Sequence, residues 1–170
     1  MHCNSYLSLE EEEHMKTIKT SIAIWASAEH VWAILTNLDT YVDWNPFIVL
    51  AKGDLVVGQP LRLRRAGDIT SGAGDAVVSG INANNHTLSW TTWWLHSRLL
   101  KTEYSFMIEA IDADSIRFLQ HETLSGLIPV IWRSSRLDNR QNYMESMNKA
   151  LKLIAENRQY RLPVSWRNAI

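Results

Sequence analysis

Cysteine is almost absent. Cys3 stands alone among 170 residues, so no disulfide can form within the chain and nothing here requires an oxidising compartment. Charge of either sign is not in excess either. Seventeen Lys and Arg face 18 Asp and Glu for a net charge of -1, whereas binders of nucleic acid show a basic excess or stripe. No apolar run approaches membrane-spanning length, which argues against stable membrane insertion. The opening MHCNSYLSLEEEEHM lacks the basic start and apolar run of a signal peptide. A cytoplasmic protein is expected, and the sequon at Asn85 then has no glycosylation to report. The six His show no ligand spacing and have no partnering cysteine pair, so no metal is expected, and no cofactor. There is no Gly-x-Ser-x-Gly elbow. Gly72-Ala73-Gly74 lacks both the third glycine and the strand-then-helix setting of a dinucleotide loop.

What is present is an ordinary globular composition, 46% hydrophobic and 21% charged, long enough for one domain with a real core. The unusual count is eight Trp, which serve either a bulky core or a cavity with aromatic walls. From residue 16 to 26 the chain alternates: Ile18, Ile22 and Ile24 face one way, with Lys, Thr and Ser between them. Ser27 is placed to cap a helix whose stripe is Val31, Trp32, Ile34, Leu35 and Leu38, with Glu29 in the first turn. A short second helix, TYVDW, runs into Pro46, which pushes Asn45 out of the helical region. Strands follow at 47–54, 60–66, 74–82, 86–96, 101–111 and 115–126, with NANN and DAD as turns, so an antiparallel meander is expected. The period then changes. Tyr143, Met144, Met147, Ala150, Leu151, Ile154 and Ala155 form a helical stripe, with Asp138 and Gln141 resembling a capping box and Pro129 suiting an earlier start. Arg133, Arg136 and Arg140 read as a solvated helix face.

The expected fold is α+β: a curved antiparallel sheet of about six to seven strands around a long C-terminal helix, with two short helices after the first strand. Residues 1–15 read as a flexible acidic extension, 16–158 as a single domain and 159–170 as a tail. This order, together with particular residues, resembles the helix-grip superfamily. That group includes the START lipid-transfer domains, the birch-pollen allergen and the polyketide cyclase/dehydrase proteins. The matching residues are Ala28, Val31, Trp32, Ile34, Leu35 and Leu38, then Tyr41 with Trp44-Asn45-Pro46-Phe47-Ile48. Further on come Leu88 and Trp90, then Glu122, Gly126 and Leu127, and finally the run from Met147 to Lys152. A His common before the aromatic in the penultimate strand is replaced here by Tyr104. The resemblance implies a hydrophobic cavity but no particular reaction, because its members bind lipids, cyclise polyketides or regulate partners.

Residues two apart on a strand share a face. On that rule Trp90 and Thr92 lie on the concave side, as do Tyr104 and Phe106, and Phe118, Gln120 and Glu122. A carboxyl group in such a place is costly to ionise unless paired, so Glu122 serves as an acid or base, fixes a polar ligand group, or pairs with a cation that ties sheet to helix. Trp44 and Phe47 flank the Pro46 break at the expected cavity mouth, and Tyr143 and Met147 would form its floor. The expected function is binding or transport of a hydrophobic small molecule such as a lipid, quinone or polyketide-like compound. One alternative is a cyclase or dehydratase using Glu122 or Tyr104 for proton transfer; another is a regulatory protein that docks a partner.

Overall fold

The computed structural model describes residues 15–66, 74–94, 100–126 and 134–157. The acidic extension and the tail expected from the sequence fall outside that set, apart from Met15, as do Leu127, Pro129 and Arg133 and the side chain of Arg136. The chain order is β1 (Lys16–Ile24), α1 (Ala28–Thr36), a 3-10 turn (Leu38–Thr40) and α2 (Tyr41–Trp44). Then come β2 (Ile48–Lys52), β3 (Pro60–Arg65), β4 (Gly74–Asn82), β5 (Thr87–Trp94), β6 (Leu100–Ala110) and β7 (Ile116–Ser125), and last α3 (Ser134–Glu156). The seven strands form one antiparallel sheet in the order β1-β7-β6-β5-β4-β3-β2. The two helices after β1 carry the chain from one edge of the sheet to the other, and the meander brings it back to close on β1. Register shifts at Ile48/Leu50 and at Val78/Gly80 mark bulges, which bend a sheet and raise its twist.

The caps show why the elements break where they do. The Ser27 hydroxyl accepts from the His30 amide at 3.3 Å, as an N-cap should. Asn45 leaves the helix in an extended conformation, and its Oδ1 accepts from both Phe47 N and Ile48 N at 2.9 Å. The WNPF segment thus turns the chain from α2 into β2. The Asn82 side chain accepts from the Asn84 and Asn85 amides, and His86 takes the left-handed conformation at φ 46°. The described part of the long helix is under way from Ser134, so Asp138 lies inside it and is not its cap.

The core lies between the concave face of the sheet and α3. Met144, Met147, Leu151 and Ala155 project from α3 into it. They meet Ile18 and Ile24, Leu88 and Trp90, Phe106 and Ile108, and Ile116, Phe118 and Leu124. The last turn of α3 is tied to the end of β1, with Lys152 Nζ donating to Ala23 O at 2.8 Å and Glu156 Oε1 accepting from Trp25 N at 2.8 Å.

Candidate functional site

Strict alternation along β7 decides which side chains face α3. Ile116, Phe118, Gln120, Glu122 and Leu124 are all buried, while the residues between them are exposed or half-buried. Tyr104 is the β6 partner of Glu122, and Trp90 is the β5 partner of Tyr104. The register therefore sets Trp90, Tyr104 and Glu122 in one row across the concave face.

The row ends in a polar cluster. The Tyr104 hydroxyl donates to Glu122 Oε1 at 2.5 Å, and Arg140 Nε donates to the same oxygen at 2.9 Å. Arg140 Nη2 also contacts Glu122 Oε1, and it donates to the Tyr104 hydroxyl at 2.6 Å. Arg65, at the end of β3, donates to that hydroxyl through Nη1 at 2.6 Å and lies over the Tyr104 ring, 5.5 Å from its centroid. Glu122 is fully buried and the Arg140 side chain 18% exposed, so this ion pair is largely out of water. Glu122 Oε2 is also buried, and no hydrogen-bond partner reaches it.

Electrostatics follows burial and these neighbours. Burial pushes the Tyr104 phenol up to about 12, against the pull of Arg140 and Arg65. Burial works against the charge of Arg140, but Tyr104 and Glu122 outweigh it and hold the guanidinium further in its charged form. At neutral pH the Tyr104 phenol is neutral, and it is clamped between two guanidinium groups and the enclosed Glu122 side chain.

Aromatic rings surround the cluster. Phe47 stacks on Tyr143 at 6.1 Å and 13° and lies 6.1 Å from the Tyr104 ring. Deeper in the grip, Trp90 packs on Phe106 at 4.8 Å, and Phe106 stacks on Phe118 at 6.1 Å. All three of these deeper rings are buried, so side chains rather than open space fill this part of the concavity.

Of the residues singled out from the sequence, Trp90, Tyr104, Phe106, Phe118, Gln120, Glu122 and Met147 all come together on the buried concave side. Thr92 is half-buried. Phe47 is buried, and Tyr143, 37% exposed, is the ring that meets solvent. Trp44 packs partly buried against the core, edge-on to Tyr41 at 5.0 Å, with its indole N–H enclosed and unpartnered. Arg140 corrects the expectation of a solvated face: it turns inward to Glu122. It stands one turn before Met144 on the buried stripe, which was the signal available in the sequence. Thr20 is a second correction. It does not alternate with the isoleucines but shares their face, two residues from Ile18 and Ile22. Arg65 and Asn148 carried comparable signals, since Arg65 stands two residues beyond Leu63 on the inward face of β3 and Asn148 one turn after Met144. Among the described residues no group of three His, Cys, Asp or Glu could hold a metal ion, and no helix is long and apolar enough to cross a membrane.

A curled antiparallel sheet gripping one long C-terminal helix is the helix-grip fold, and solved structures share it. Norcoclaurine synthase from Thalictrum flavum, in complex with dopamine and hydroxybenzaldehyde, superposes with a TM-score of 0.68 at 10% identity, over 95% of this chain and 96% of that one. A START superfamily protein from Mycobacterium smegmatis gives 0.62 at 21% identity, over 84% and 97% of the two chains. Ara h 8.0201 gives 0.64 at 12% identity, over 83% and 97%. No family model matches the chain, and no curated protein does.

Proposed function

We propose that the protein binds a small, largely apolar molecule beside the Arg65–Tyr104–Glu122–Arg140 cluster, and that this molecule carries a hydroxyl or amine as its polar group. The observation that carries the reading is Glu122 Oε2, a buried carboxylate oxygen with no partner. An acceptor left unsatisfied in a dry place is costly, so a donor that reaches it gains more than an ordinary surface contact would. The Tyr104 hydroxyl already receives two guanidinium donors and donates to Glu122. The free capacity of the quartet at this carboxylate is therefore for a donor. Tyr143, partly exposed and backed by Phe47, offers a ring to the apolar body. Among lipids, quinones and polyketide-like compounds, a phenolic polyketide fits this requirement best, because a quinone presents only acceptors. The fold supports the reading, since the norcoclaurine synthase neighbour is in complex with the phenols dopamine and hydroxybenzaldehyde.

A matched series tests it. The intrinsic Trp fluorescence would be titrated with 1-naphthol, 1,4-naphthoquinone and 1-naphthoate. Naphthol should bind about tenfold more tightly than the quinone, the equivalent of one hydrogen bond to a charged acceptor. Equal affinities, or a preference for quinone or carboxylate, would remove the reading.

The contact between Tyr104 and Glu122 supports a second reading, an enzyme of the cyclase or dehydratase kind. The phenol lies within hydrogen-bond reach of the carboxyl group, the geometry that a proton transfer needs. Turnover of a phenolic polyketide by the wild-type protein, lost in Tyr104→Phe, would move the function from binding to catalysis.

A further inference from the structure

A second polar site lies on the other side of the grip, where β1 passes α3. Thr20 of β1 is the register partner of Gln120 of β7. Gln120 Nε2 donates to Met144 O at 3.1 Å and to Asn148 Oδ1 at 2.6 Å, both on α3. That leaves Gln120 Oε1 and Thr20 Oγ1 buried, on paired strands and the same face, and both without partners. Thr20 is 9% exposed and Gln120 1%. A cleft of about 310 Å³ opens over this seam, lined by Thr20, Ser21 and Ile22 of β1 and by Glu145, Asn148 and Lys149 of α3.

The sequence explains the gap. An isoleucine at position 20 would continue the Ile18, Ile22, Ile24 stripe and close the sheet against α3 with apolar contact. Threonine is shorter and brings a hydroxyl. Two enclosed oxygens on paired positions, not bonded to each other, would each lose hydrogen-bonding energy if dry, and a small neutral molecule that both donates and accepts could bridge them. The room available suits water, which commonly bridges buried polar groups through two to four hydrogen bonds.

We infer that this seam is a hydrated port: water bridges Thr20 Oγ1 and Gln120 Oε1 and exchanges with bulk solvent through the cleft between β1 and α3. Glu122 follows Gln120 on the same face of β7, so the port brings solvent to within one strand position of the free carboxylate oxygen. The inference rests on the seam alone and does not depend on the identity of any ligand.

Thr20→Val is nearly isosteric and removes only the hydroxyl, so the sign of its effect separates a wet seam from a dry one. A hydrated seam loses a water bridge, and the melting temperature should fall by about 2–4 °C. A dry seam loses an unsatisfied polar atom, and the melting temperature should rise. Thr20→Ser keeps the hydroxyl, and a high-resolution crystal structure of it and of wild type should show ordered water on Gln120 Oε1. A stabilised Thr20→Val protein, or a seam without water in the wild-type crystal, would overturn the port.

Discussion

The concave face of the grip has two halves built on different physics. On β5, β6 and the start of β7, Trp90, Phe106 and Phe118 satisfy one another by ring packing alone. On β1, the rest of β7 and α3, Gln120 is hydrogen-bonded to Asn148 and Glu122 is paired with Arg140, and three buried oxygens, of Thr20, Gln120 and Glu122, stay unpartnered. The aromatic half is complete without any guest. The polar half is not, because each oxygen kept from water must find a donor elsewhere. The proposed function therefore draws on the polar half, while the aromatic half contributes packing.

Three changes would break or sharpen that contrast. The largest effect is expected at Trp90, which is fully buried among Tyr104 and Phe106. Trp90→Ala should cost about 3–5 kcal/mol in urea unfolding, as large-to-small changes in filled cores do. If stability is instead kept and apolar compounds bind more tightly, the aromatic half is a ligand chamber and the contrast fails.

Arg140→Met comes next. It strands the Glu122 carboxylate without its cation, and breaking such a buried pair costs about 3–5 kcal/mol at full burial, less here because Arg140 touches solvent. Adding Glu122→Leu removes the stranded charge and should recover most of the loss. A double variant no more stable than Arg140→Met would show that the pair does not couple sheet to helix.

The third test uses alkaline pH. The Tyr104 phenol is raised from 10.0 to about 12, so the folded state holds this proton more tightly than the unfolded chain does. The resulting stability is complete below pH 10 and is lost as pH climbs from 10 to about 12, an effect of about 2–3 kcal/mol. Tyr104→Phe should show a shallower decline over that interval in denaturation followed by circular dichroism. A decline remains in the variant, because burial also raises Tyr41. Identical slopes in the two proteins would remove Tyr104 from the account.

Legibility differed between the halves for a reason. Alternation along β5, β6 and β7 placed Trp90, Phe106, Phe118, Gln120 and Glu122 on one face, because a strand's period of two needs no knowledge of its neighbours. The rotation of α3 was harder to read. A guanidinium at position 140 suits water equally well, and only the enclosed carboxylate on β7 turns it inward. Thr20 was read as an outward residue because threonine is usually polar surface, although its spacing from Ile18 and Ile22 matched the inward face. Asp138 and Gln141 also misled, since they imitate a capping box on the exposed side of a helix already under way by Ser134.

By itself the sequence determined the order of elements, the antiparallel meander and the identity of the core stripes, because these depend on local periodicity and turn chemistry. The tertiary structure alone decided that Arg65 and Arg140 meet on the Tyr104 hydroxyl, and that Glu122 Oε2, Gln120 Oε1 and Thr20 Oγ1 are left without donors. Those residues lie on β1, β3, β6, β7 and α3, far apart along the chain. Only the curl of the sheet around the helix brings them into contact, and no spacing within one segment encodes a distance between segments.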